Sequence, residues 1–132
     1  RPALPGVQEA VALCKAQGLK VGLASASPLR MLESVLALLG LRDQFDAVSS
    51  TKHLPYSKPH PQVYLDAAAK LGIDPLCCVT LEDSVNGMIA TKAARMRSIV
   101  VPAPENRDDP RWVLADARLA SLTELTAAHL LG

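Results

Sequence analysis

Glu82 and Asp83 stand side by side where the apolar run Cys77-Cys78-Val79-Thr80-Leu81 gives way to a helix-like segment. Two adjacent carboxylates at the exit of a buried strand are costly unless a cation holds them. In an α/β protein that exit is also where ligands bind, in the crevice beyond the carboxyl ends of the strands, so a hard divalent metal is one reading of the pair. The other reading is capping, because acidic residues in a helix's first turn complement its dipole and accept from its free N–H groups. Two more clusters follow apolar runs in the same way: Ser25-Ala26-Ser27 after Val21-Gly22-Leu23-Ala24, and Ser57-Lys58-Pro59 in the long loop after a second strand. A serine hydroxyl beside the N–H groups of a helix start suits a phosphate oxygen, although serine there more often caps the helix. Lys58 lies among prolines that restrict its backbone, and a rigidly held ammonium can neutralise a phosphoryl group or an attacking carboxylate. The alternative is an ordinary solvated loop lysine.

Serine, lysine and two carboxylates together suit phosphoryl transfer, with donors and a cation on the phosphate and acids on a bridging magnesium. One component is missing: no Ser, Cys or Asp has a partner base at an interpretable spacing, and no Asp-x-Asp follows an apolar run. Asp46 precedes its strand, at the wrong end of a sheet, and Asp66 falls inside a helix. His60 and Trp112 read as surface and packing residues.

The elements that must position these groups alternate. Val7 to Gln17 carries a helical stripe closed by Gly18, the strand Val21 to Ala24 follows, and a second stripe at Met31, Leu32, Val35, Leu36 and Leu39 ends at Gly40. Phe45 to Ser49 is a weaker strand, Ser50 to His60 a polar loop, and Pro61 opens a helix with Val63, Tyr64, Ala67, Ala68 and Leu71 on one side and Gly72 at its end. Cys77 to Leu81 is the next strand, Ser84 to Ala94 a helix, Ser98 to Val101 a strand, and Pro102 to Pro110 an exposed loop. Trp112 to Ala115 reads as a helical turn and Arg118 to Ala120 as an edge strand, while Ser121 with Glu124 forms a capping box opening a last helix through Leu130. Such alternation predicts βαβ units and a parallel sheet with helices on both faces.

With 132 residues, 14 basic and 13 acidic side chains and a formal charge of +1, the chain fits one domain and offers no footprint for nucleic acid or anionic membrane. The hydrophobic fraction is 49% with only 3% aromatic, so the core must be built from Leu, Val and Ala. No apolar stretch approaches the ~18 residues of a membrane span, and Arg1-Pro2-Ala3-Leu4-Pro5-Gly6 lacks the apolar middle of a signal peptide. A cytoplasmic setting is expected, with Cys14, Cys77 and Cys78 as buried reduced thiols. The absent initiator Met and Pro-rich opening suggest a fragment.

Val21-Gly22-Leu23-Ala24-Ser25-Ala26-Ser27, then Ser57-Lys58-Pro59-x-Pro61, then Leu81-Glu82-Asp83-Ser84-x-x-Gly87-x-x-Ala90 resemble, in order and spacing, the second, third and fourth motifs of the haloacid dehalogenase-like hydrolases. The resemblance implies a Rossmann-like three-layer α/β/α core with a parallel sheet, incomplete at its amino-terminal side. Residues 1–132 would be the carboxyl-terminal portion of that core. The first motif, Asp-x-Asp-Gly, and the helical cap lie upstream in the family, and the missing strand runs centrally, between the strands ending here at Ser25 and Leu81. By position, Ser25 and the backbone of Ala26 would hold the phosphate, Lys58 would steady nucleophile and phosphate, Ser27 would face the substrate, and Glu82 and Asp83 would hold Mg2+. The implied function is a magnesium-dependent phosphatase of small sugar phosphates acting through an aspartyl-phosphate, with this chain inactive by itself. The alternatives are a β-phosphoglucomutase-like phosphosugar mutase and a non-catalytic phosphate-binding module. Sugar-phosphate preference and oligomeric state stay open. Where relatives commonly end a helix with glycine, this chain has Arg95, a departure that costs local strain or moves the helix end.

Overall fold

The computed structural model describes residues 6–132; the Pro-rich opening from Arg1 to Pro5 lies outside them. Apolar residues at helical spacing fold as α1 (Val7–Ala16), α2 (Leu29–Leu38), α3 (Gln62–Leu71), α4 (Val85–Ala93) and α5 (Ala127–Leu131). Short β-rich runs form β1 (Gly22–Ser25), β2 (Ala47–Ser50), β3 (Val79–Glu82), β4 (Arg97–Val100) and β5 (Ala117–Arg118). Helix α3 stops at Gly72 in a left-handed turn with φ 71°, where a residue without Cβ meets no steric cost. Helix α4 stops the same way one residue after Ala94, but there the left-handed residue is Arg95 with φ 69°. An arginine in that conformation costs about 1–2 kcal/mol, so the helix end has stayed in place and the strain has been accepted.

All strand pairs are parallel, as the alternation requires. β1 pairs with β2 in the register Gly22 to Ala47 through Ser25 to Ser50, and β4 lies between β3 and β5, with Leu81 opposite Ile99 and Ile99 opposite Ala117. The sheet therefore comes in two pieces, β1-β2 and β3-β4-β5, with no described strand joining them. Helices hold the pieces together. On one face α1 spans both, with Ala10 packed on Ile99, Leu119 and Leu130, and Val11 on Leu32, Leu36 and Val48. On the other face α3 and α4 pack together through Val63, Tyr64, Ala68, Ala90 and Ala94, around half-buried Ala24 and Cys78. This is the expected three-layer arrangement, its core almost wholly aliphatic.

The amino ends of two strand pairs are fixed by the same device. Asp46 accepts the Val21 N–H at 2.8 Å and the Lys15 ammonium at 2.6 Å, and Asp116 accepts the Ser98 N–H at 2.7 Å and the Lys92 ammonium at 2.8 Å. In each case a lysine from the last turn of a helix covers an aspartate that starts a strand. Asp46 thus sits at the amino edge of the sheet, away from any ligand crevice. The lysine hydrogen bond and the Val21 N–H hold the Asp46 carboxyl below its ordinary range. For Asp116 burial pushes the other way, but Lys92 and the Ser98 N–H prevail and the carboxyl is likewise lowered. Stability from these contacts is complete above the ordinary carboxylate pKa of about 3.9 and is lost as the pH falls below it. Urea midpoints are expected to drop between about pH 5 and pH 3, with a smaller drop in Asp46→Asn and Asp116→Asn.

Four sequence expectations shift. Val79, not Cys77, begins the third strand, because Asp74 accepts the Leu76 N–H and caps a 3-10 turn over Pro75–Cys77. Cys77 is consequently exposed, while Cys14 and Cys78 are half-buried and their thiols pushed up by that burial. Strand β2 runs one residue past Ser49 but begins only at Ala47, after a 3-10 turn over Arg42–Gln44. Near the end, Ser121 caps a single 3-10 turn over Leu122–Glu124, and Glu124 reaches back to the Ala120 N–H. The last helix is opened instead by Thr126 and His129, whose Nδ1 accepts the Thr126 N–H at 2.9 Å. Trp112 is 3% exposed in a 3-10 turn over Pro110–Leu114, a packing residue as expected. No helix of the described residues is long and apolar enough to cross a membrane.

Candidate active site

The exits of β1 and β3 lie on one edge, and Lys58 bridges them. Its ammonium is 2.8 Å from Glu82 Oε2 and 3.4 Å from the carbonyl of Ala24, the residue before the end of β1. It also stands 5.0 Å over the ring centroid of Tyr64, within cation–π range. The Tyr64 hydroxyl donates to the same Glu82 oxygen. Glu82 is 9% exposed, and its other oxygen lies 3.4 Å from the Ser84 hydroxyl. Burial and the charge of Glu82 push the Tyr64 phenol far up, so it stays a donor. Space for the carboxylate comes from Gly87 on α4, where an added Cβ would lie 2.0 Å from Glu82 Oε1.

Glu82 is therefore not a helix cap. That role belongs to Ser84, whose hydroxyl accepts the Gly87 N–H at 3.0 Å. Asp83, half-buried, follows at the strand exit, and its carbonyl accepts the Ala103 N–H at 3.1 Å. The serines of the first cluster do not cap either. Helix α2 begins after Pro28 without a side-chain cap, while Ser25 Oγ accepts the Ser27 N–H at 3.2 Å inside the loop. The Ser27 carbonyl in turn accepts the Ser50 hydroxyl at 2.6 Å, tying the loop to the end of β2. Ala26 lies exposed at the tip.

The Lys58 loop is braced from within. Gln62 Oε1 accepts the Tyr56 N–H at 3.0 Å, the Gln62 N–H donates to His60 Nδ1 at 3.1 Å, and the Tyr56 and His60 rings stack 4.4 Å apart. The Lys58–Pro59 peptide is cis. Below the Lys58–Glu82 pair a cavity of about 490 Å³ separates the two sheet pieces, lined by Leu23 and Ala24 from β1, Val79 and Leu81 from β3, and Ala68 and Met96. The facing edges of β1 and β3 carry no strand among the described residues.

Of the residues singled out in the sequence, Lys58 and Glu82 are brought into direct contact, and Ser25, Ala26, Ser27 and Asp83 border them on the exits of β1 and β3. No group of three or more His, Cys, Asp or Glu converges among the described residues. Sequence reasoning missed Tyr64, filed with the apolar stripe of its helix. A hydroxyl on that stripe, six positions after Lys58 on the first turn of α3, was the available signal.

Comparison with known proteins follows the same lines. Hexitol phosphatase B of Escherichia coli K12 is 77% identical over 132 residues, all of this chain and 60% of that protein. The β-phosphoglucomutase of Bacillus subtilis is 36% identical over 98 residues, 74% of this chain and 42% of that protein. The crystal structure of CbbY from Rhodobacter sphaeroides in complex with phosphate superposes with a TM-score of 0.88 at 32% identity, over 98% of this chain and 59% of that one. The chain thus spans about 60% of the length of the hexitol phosphatase it resembles. With a family model matching residues 1–95, the chain belongs to the haloacid dehalogenase-like hydrolases.

Proposed function

We propose that this chain is the carboxyl-terminal portion of the catalytic core of a cytoplasmic, magnesium-dependent phosphatase for small sugar phosphates of the hexitol phosphate or 2-deoxyglucose-6-phosphate type. The observation that carries the reading is the slot between β1 and β3 with Lys58 and Glu82 closing its carboxyl end. A parallel strand entering that slot would pair with both free edges, and its last residues would emerge beside the Lys58 ammonium. In the proposed reaction a carboxylate on that strand attacks phosphorus, the bond to the sugar oxygen breaks, and water then cleaves the aspartyl-phosphate to release inorganic phosphate.

The residues of this chain serve that chemistry by position and charge. Lys58 orients the attacking carboxylate and the phosphoryl group, Ser25 Oγ and the Ala26 N–H hold the phosphoryl oxygens in the loop between β1 and α2, and Ser27 faces the departing sugar. Glu82 and Asp83 offer oxygen donors only, which suits Mg2+, an ion usually held by one or two carboxylates with phosphate and water. When bound, magnesium supplies charge neutralisation on the phosphoryl oxygens. The identity to hexitol phosphatase B favours a hexitol phosphate substrate.

The test is turnover by two purified proteins: these 132 residues alone, and the same chain preceded by the segment that the longer relatives carry. The longer protein is expected to release phosphate from hexitol phosphates in magnesium and to lose activity in a chelator. The 132-residue protein is expected to release none. Turnover by the short protein would overturn the reading, as would interconversion of sugar phosphates without phosphate release, which would make the protein a mutase. Binding of phosphate without turnover by the longer protein would make it a non-catalytic module.

A further inference from the structure

We infer that Tyr64 is a positioning residue that fixes the Lys58–Glu82 pair, an assignment whose catalytic consequence rests on the function proposed above. One side chain touches both partners: its hydroxyl donates to Glu82 Oε2 and its ring lies under the Lys58 ammonium at 5.0 Å. Lysine is a compact charge on a flexible stem and does not by itself choose one oxygen of a carboxylate. Here it arrives on a loop whose neighbours Ser57 and Pro59 are exposed. Tyr64 is 7% exposed, with two torsions to fix, and its helix is anchored by Val63 and Ala68 at 0% and 2% exposure. It is the rigid reference in the group.

The consequence is a division of labour between the two Glu82 oxygens. Oε2 receives Lys58 and Tyr64 together, and Oε1 is turned toward Ser84 and the space left by Gly87, at the end of β3 where Asp83 follows. Without the phenol, Oε2 keeps a single donor, and the carboxylate can rotate and draw Lys58 with it. The ring alone does not prevent this, since it contacts the ammonium through its face and the carboxylate only through the hydroxyl.

The experiment uses the full protein carrying this sequence and its Tyr64→Phe variant, which keeps ring and volume and removes the donor. Each is labelled briefly with an amine-acylating reagent, and the extent at each lysine is read by mass spectrometry. Labelling of Lys58 is expected to rise roughly threefold in the variant, with Lys15, Lys20, Lys52, Lys70 and Lys92 unchanged. In turnover, kcat is expected to fall about tenfold with KM within about twofold, the size of a lost hydrogen bond to a charged group. Tyr64→Met repeats both measurements should the phenylalanine variant not fold. Unchanged Lys58 labelling in a folded variant overturns the proposal, and so does an equal rise at every lysine, which would mean general loosening. A rise confined to Lys58 in a protein whose wild type hydrolyses no sugar phosphate leaves Tyr64 as the positioning residue and removes the proposed function alone.

Discussion

Gly87→Ala is expected to destabilise the protein by about 3 kcal/mol and to remove the phosphatase activity proposed for the longer protein, although alanine favours a helix over glycine. The new Cβ would lie 2.0 Å from Glu82 Oε1, 2.2 Å from its carboxyl carbon and 2.7 Å from Oε2. A flexible acidic side chain elsewhere would swing aside. Here the carboxylate is held by Lys58 and Tyr64, and Gly87 is itself buried between Val85 and Met88 at 6% and 0% exposure. The clash can be relieved only by moving α4 away from β3 or by expelling Glu82, and both dismantle the exit of the strand. Denaturant unfolding followed by circular dichroism measures the first effect and phosphate release the second. A variant as stable and active as the parent would mean that Glu82 does not occupy this place.

Lys58→Met is expected to cost about 3 kcal/mol of stability and about 10²–10³ in turnover. The pair is mostly shielded, with side-chain exposures of 18% for Lys58 and 8% for Glu82, so removing the ammonium leaves a buried negative charge with only the neutral hydroxyls of Tyr64 and Ser84 beside it. Methionine keeps most of the stem volume, which separates the lost charge from lost packing. The double variant Lys58→Met/Glu82→Gln should recover at least about 1 kcal/mol relative to Lys58→Met, because no charge is then left without a partner. It should recover no turnover. Urea titrations of Lys58→Met, Glu82→Gln and the double variant close the cycle, and additive losses would show that the two groups do not interact.

How much of this was legible in the sequence follows from what kind of signal each feature leaves. The alternation of helices and strands, and the placing of Lys58, Ser25 and Glu82 at strand exits, rest on periodicity and order along the chain, which survive folding unchanged. Tyr64 left a weaker mark, since an aromatic on an apolar stripe reads as core and its hydroxyl gains meaning only when Glu82, 18 residues further along the chain, arrives beside it together with Lys58. The choice of capping serine was legible in type but not in place: Ser84 caps α4, whereas Ser25 turns to its own loop because Pro28 has already set the entry to α2. The end of the chain misled for a related reason. Ser121 and Glu124 have the spacing of a capping box, but Leu125 turns inward at 8% exposure to join the core with Ile99 and Leu119, and that burial breaks the helix before it starts. Arg95 shows the reverse case, where packing of Ala94 and Met96, 1% and 3% exposed, holds a left-handed turn against its own residue type.

Asp46 and Asp116 secure strand starts with ion pairs to helix ends, while the groups proposed to contact phosphate and metal sit on the last residues of strands or in the loops that follow them. Register and recognition are thereby encoded on opposite edges of one sheet. A lineage carrying this frame can lengthen, shorten or recompose the upper loops and change what is bound, without renegotiating how the strands align.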